Sequence, residues 1–227
     1  MEATAERLLL DVQDAHWLDF GDMSNQYPVG RVFTEPGAGH AMPNDELAWE
    51  TLESRTSYSC PGFDILTDDV RFPDGTEGQF DYLSESESAV ILPFTPEGDV
   101  VVIEEWRHAV GHVSYGLPAG GMEPADDDPE RVARRELTEE TGYEAGQMTH
   151  LTTIEPTNSF ADAVFHYFVA HDCTPTGERN LDHNETIRVE TASFEALLDA
   201  ARTDELRDGR SMLAILYYEL FGDLDDE

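Results

Sequence analysis

The chain has 227 residues, of which 49 are acidic and 13 basic, for a formal net charge of −36. Every basic residue is Arg. That balance disfavours nucleic acid and anionic membranes as partners, while 40% hydrophobic content argues against disorder and for a packed core. The length suits one domain with an extension. Dense carboxylates read as adaptation to a high-salt cytoplasm, where salt screens self-repulsion. A halophilic protein that is unstable at low salt is expected. Cys60 and Cys173 form neither a disulfide framework nor a CxxC metal site, so free thiols in a reducing cytosol are expected. The N-terminus lacks the basic region of a signal peptide, and no apolar run approaches the roughly 20 residues of a membrane span. A cytoplasmic protein follows as the expectation.

Residues 1–54 read as an N-terminal extension, with a short helix over 4–12 and Gly/Pro interruptions at 27–30 and 35–39. Residues 55–227 read as the functional domain. Alternation over 63–72 predicts a strand, Pro73-Asp74-Gly75 a turn, and 79–83 the returning strand. The apolar runs 89–94 and 100–106 predict two buried strands around a Pro96-Glu97-Gly98 turn. A glycine-rich loop, Leu117-Pro118-Ala119-Gly120-Gly121, leads into a helix. Asp126, Asp127 and Asp128 suit that helix's N-terminus, Pro129 its first turn and Gly142 its stop. Strands over 148–154, 164–170 and 186–191 follow, with a loop over 173–184. Ser193 reads as the N-cap of a helix through 201, and 210–221 as an apolar C-terminal helix. The order predicts an α/β (α+β) fold, a mixed β-sheet between helices.

The helix after the glycine loop carries the chemistry. Glu136, Glu139 and Glu140 stand at i, i+3 and i+4, which places them on one helical face. Crowded carboxylates repel one another, and their natural partner is a hard divalent cation, Mg²⁺ or Mn²⁺. Arg134 and Arg135 stand beside them in a chain poor in basic residues. No spacing among His108, His112, His166 and His183 suggests a zinc site.

Segment 121–143 resembles the Nudix box, G-x5-E-x7-R-E-U-x-E-E-x-G-U, where U is bulky and apolar. Gly121, Arg135, Glu136, Leu137, Glu139, Glu140 and Gly142 match in strict spacing, and Tyr143 fills the last position. Asp127 stands where the family usually has Glu; counting from Gly120 would put Asp126 there instead. The flanks resemble the ADP-ribose pyrophosphatase branch over residues 55–220. There the order is a PdG turn, an aVavlP strand, a vrQyR segment and an E-lPAG loop, against Pro73-Asp74-Gly75, 89–93, Ile103-Glu104-Glu105-Trp106-Arg107 and 117–120 here. Gly116 replaces the Glu before Leu-Pro-Ala-Gly, and Asn158 replaces the second proline of a downstream segment that starts at Pro156.

The resemblance implies an α/β/α sandwich and metal-dependent hydrolysis of the pyrophosphate of ADP-ribose or a similar nucleoside diphosphate sugar. Other Nudix substrates (GDP-mannose, NADH, a damaged nucleotide) and a non-catalytic ADP-ribose sensor stand as alternatives. Glu136 and Glu140 are the expected metal ligands, with Glu139 direct or through water and a backbone carbonyl from Ala119 or Gly120. Arg135 is expected to hold one carboxylate in place. Glu185 is the first candidate general base and Asp182 the second. Arg107 is read as a phosphate ligand or a structural ion pair, and Trp106 and Phe160 as candidates for stacking on adenine or as core. Relatives in the branch are commonly homodimers, so a homodimer acting on a small nucleotide is expected.

Overall fold

The structure is a computed structural model that describes residues 46–177 and 179–222. The helix expected over 4–12 and the interruptions at 27–39 lie outside the described residues. Strands β1 (Glu50–Cys60), β2 (Phe63–Arg71) and β3 (Glu77–Ser84) form an antiparallel sheet in the order β1-β2-β3. β1 crosses the expected boundary at residue 54. Its sequence, ETLESRTSYSC, has few apolar residues, and nearly all of it is exposed. The β2–β3 turn is the expected one: Gly75 N–H bonds to Phe72 O at 2.9 Å and Asp74 Oδ1 accepts from Thr76 N–H.

The central sheet is mixed. Strands β4 (Ser88–Pro93), β7 (Ala119–Gly121), β9 (Gln147–Ile154) and β10 (Phe165–His171) lie in the order β7-β4-β10-β9, with β4 and β10 parallel and the other pairs antiparallel. β4 is apolar at consecutive positions because both its faces are covered. Ala89 and Ile91 join Val132, Ala133, Leu137 and Phe168 in one core cluster. Val90 and Leu92 join Val100, Val102, Leu117, Tyr167, Leu197 and Ile215 in the other. A third sheet, in the order β12-β5-β6, comprises β5 (Asp99–Arg107), β6 (His112–Gly116) and β12 (Ile187–Ser193).

Helix α1 (Pro129–Glu136) covers one face of the central sheet; α2 (Phe194–Arg202) and α3 (Gly209–Phe221) pack into the core on the other. Ser193 caps α2 by accepting from Ala196 N–H, as its position predicted. Five strands lie outside the sequence reading: β1, β6 and three shorter ones. β7 forms within the glycine loop, because Ala119, Gly120 and Gly121 pair with Val90, Ala89 and Ser88. The short strands β8 (Tyr143–Glu144) and β11 (Thr174–Pro175) pair with each other, and β11 lies inside the region read as loop. Among the described residues no helix is long and apolar enough to cross a membrane. Cys60 and Cys173 are both free, and burial pushes the Cys173 thiol up to about 12.

Candidate active site

α1 starts where its sequence signals a start. Asp128 accepts from Glu130 N–H at 3.0 Å, and Pro129 takes the first helical position. Val132, Ala133 and Leu137 anchor the helix on β4 and β10, which aims its other side at the glycine loop. The helix does not continue as α through residue 141, as the sequence suggests. From Leu137 to Thr141 it widens into a π-helical turn, a device found often at functional sites. Gly142 ends it at φ 73° with its N–H on Thr138 O.

The three carboxylates therefore diverge. Glu140 turns inward and accepts from Ala119 N–H at 3.0 Å. Glu136 lies over Gly120 so closely that a Cβ there would overlap its carboxylate. Glu139 turns to Arg135, at 3.1 Å. Arg135 is the hub of the loop. Its guanidinium sits 2.7 Å from Glu136 Oε1 and 3.3 Å from Asp126 Oδ2, and donates to Gly121 O at 3.2 Å. Asp126 thus reaches Arg135, while Asp127 points out to Arg131. The acidic position of the motif is filled in the register counted from Gly120, one residue from the strict spacing.

Burial dominates the electrostatics. It pushes the Glu136 carboxyl up to about 7, against the pull of Arg135, and the charges of Glu139 and Glu185 push the same way. Glu140 is raised well above the ordinary range, chiefly by burial; the Ala119 amide opposes this, and Glu136, Glu185 and Glu105 add to it. Four carboxylates from β5, α1, the π turn and the loop before β12 thus share one neighbourhood. Among the described residues no three His, Cys, Asp or Glu groups stand in a metal-ligating arrangement; Arg135 engages Glu136 and Glu139 instead. The donor chemistry nonetheless fits a hard cation. Glu136 and Glu140 are two buried oxygen donors whose negative charges disfavour each other.

Glu185 is half-buried. One carboxylate oxygen, Oε2, accepts from Asp182 N–H at 2.9 Å, so the two candidate bases lie in one turn and Asp182 fixes Glu185 through its backbone. Arg107 forms an ion pair, Nη2 to Glu105 Oε2 at 2.7 Å. Trp106, about half exposed, lines a cleft of about 710 Å³ with Val113, Tyr143, Arg179 and Arg188. Phe160 does not line that cleft. It lies in the loop before β10, its carbonyl accepting from Leu83 N–H.

Glu105 is the residue that sequence reasoning passed over. It is only 7% exposed, burial raises its carboxyl, and Oε2 makes no hydrogen bond. Its contact with Arg107 meets the distance of an ion pair without the direction of a hydrogen bond. The signal was present: a Glu followed the core residues Val101, Val102 and Ile103 on a strand buried on both faces. Gly116, where the resembled pattern has Glu, also has a reason. A Cβ there would stand 2.5 Å from Ser211 Oγ, which accepts from Leu117 N–H at 2.8 Å.

The NUDIX domain model matches residues 85–214. The chain belongs to the NUDIX family. It is 29% identical over 175 residues to the ADP-ribose pyrophosphatase of Bacillus subtilis (strain 168), covering 77% of this chain and 94% of the relative. The methanol dehydrogenase activator of Bacillus methanolicus is 26% identical over 172 residues, with 75% and 92% covered. The GDP-mannose pyrophosphatase of Escherichia coli (strain K12) is 29% identical over 140 residues, with 58% and 72% covered. A crystal structure of an ADP compounds hydrolase superposes with a TM-score of 0.68 at 19% identity, over 79% of this chain and 97% of that one, and shares the fold. The protein is a NUDIX pyrophosphohydrolase related to ADP-ribose and GDP-mannose pyrophosphatases.

Proposed function

We propose that this protein hydrolyses the pyrophosphate bond of ADP-ribose or a similar nucleoside diphosphate sugar, giving a nucleoside monophosphate and a sugar phosphate. The observation that carries the reading is the buried pair Glu136 and Glu140, set against the glycine loop. Mg²⁺ or Mn²⁺ held there would neutralise charge on the substrate and lower the pKa of bound water. Glu136 and Glu140 would hold it, Glu139 would assist directly or through water, and a carbonyl of Gly120 or Ala119 would add a donor.

Arg135 keeps Glu136 and Glu139 oriented. Glu185 takes the proton of the attacking water at its other oxygen, Oε1, while Asp182 N–H holds Oε2. Arg107 binds a substrate phosphate, and Trp106 offers its exposed face to the base. The strength of the Bacillus subtilis relationship favours ADP-ribose; the Escherichia coli relatives make GDP-mannose the second candidate. We further propose a homodimer formed through the exposed sheet β1–β3, in a halophilic cytoplasm.

The test is hydrolysis of ADP-ribose, GDP-mannose, NADH and dinucleoside polyphosphates in molar KCl with Mg²⁺ or Mn²⁺. Release of AMP from ADP-ribose in preference to the others, abolished in Glu140→Gln, supports the reading. Cleavage of another substrate alone discards ADP-ribose and keeps the mechanism. Sedimentation in the same buffer checks the dimer, which a monomer at micromolar concentration refutes.

A further inference from the structure

We propose that Glu105 is a positioning residue: it tethers Arg107 beside the carboxylate cluster so that the guanidinium presents its remaining N–H groups to the phosphates of the substrate. This rests on the pyrophosphohydrolase reading and on Arg107 as phosphate ligand, and it assigns how that ligand is held.

Residues 105 and 107 share one face of β5 by the two-residue period of a strand. On β6, Ser114 lies opposite Glu105 and Gly116 opposite Ile103, so Gly116 is diagonal to Glu105 on that face. The close approach of Ser211 leaves no room for a side chain at Gly116. A carboxylate for Arg107 must come from elsewhere. Asp208 lines the same small cavity, but it accepts from Ser211 Oγ at 2.6 Å and from Arg210 Nε at 3.1 Å. Glu105 is the carboxylate that pairs with Arg107.

The two ends of the pair differ. The Glu105 side chain is 9% exposed and that of Arg107 36%. One end is fixed in the interior, and the other faces solvent. A guanidinium carries five N–H groups in a rigid fork, so contact through Nη2 leaves others for an anion. The anchor also stands beside the chemistry, since the charge of Glu105 acts on Glu140 and that of Glu185 acts on Glu105. A diphosphate arriving among four carboxylates meets repulsion, and a cation already locked in place offsets it without the entropy cost of ordering a free Arg side chain.

The experiment is a double-mutant cycle on full-length protein in molar KCl with Mg²⁺: parent, Glu105→Gln, Arg107→Ala and the pair. ADP is the calorimetric probe, ADP-ribose the kinetic one, and a thermal melt accompanies each. Expected are about tenfold weaker ADP binding in each single variant and a double variant no weaker than Arg107→Ala. In Glu105→Gln the rise falls in KM, with kcat within about threefold. Three outcomes overturn the proposal: melting temperatures that fall while ADP affinity holds, which marks a structural ion pair; losses that add fully in the double variant; or a parent that does not bind ADP. A parent that binds ADP but hydrolyses no nucleoside diphosphate sugar refutes the hydrolase reading separately, because the binding cycle is still read.

Discussion

Replacing Glu136 by Gln should stabilise the metal-free protein at alkaline pH. The Glu136 carboxyl rises from an ordinary 4.5 to about 7 on folding, mainly through burial. The sign follows from linkage. A carboxyl raised in the folded state contributes its stability fully below the unfolded pKa, and that contribution is lost as pH rises through the folded value. At about 1.36 kcal/mol per pH unit, a rise of about 2.5 units gives a ceiling of about 3 kcal/mol above roughly pH 8. Coupling to Glu140 and local relaxation reduce this to an expected ~1–3 kcal/mol. For a domain of this size that corresponds to about 3–9 °C in melting temperature. The assay is a thermal melt with EDTA in constant molar KCl, for parent and Glu136→Gln, from about pH 5 to pH 8.5. The gap should open as pH rises, with the variant the more stable. Added Mg²⁺ should raise the parent and leave the variant unmoved, because a ligand stabilises only the state it binds. A variant that melts below the parent at alkaline pH, or a gap that does not change with pH, refutes the reasoning.

Glu140→Gln should lower hydrolysis by at least about 100-fold with the circular dichroism spectrum unchanged; near-normal turnover would remove Glu140 from the site. Gly120→Ala forces a methyl into the Glu136 carboxylate, so activity and the Mg²⁺-induced rise in melting temperature should fall together, and retention of both would refute the close approach. Ser211→Ala strips the acceptor from the buried Leu117 N–H and should cost about 1–3 kcal/mol in denaturant unfolding. Leu137→Ala leaves a cavity under the carboxylate helix and should cost about 2–5 kcal/mol by the same measurement; a neutral result would mean the helix is anchored elsewhere.

Local signals were enough for much of this protein. The caps at Asp128 and Ser193, the stop at Gly142, the turn at Pro73-Asp74-Gly75 and the apolar strands β4 and β5 were legible because each depends on residues adjacent in the chain. The spacing of Arg135, Glu136, Glu139 and Glu140 named the chemistry for the same reason. What the sequence could not decide was where each carboxylate goes. The three read as one face, yet the π turn and the glycine loop part them: Glu140 to the Ala119 amide, Glu136 over Gly120, Glu139 to Arg135. Asp126 against Asp127 was likewise a matter of which one reaches Arg135 in space. Gly116 and Glu105 had no local explanation. For Gly116 it lies in α3, whose Ser211 closes over it, and for Glu105 in the burial that holds its carboxylate against Arg107. Backbone preference and periodicity are properties of neighbours in sequence. Burial, and the charge interactions that burial strengthens, belong to groups that only the folded chain brings together.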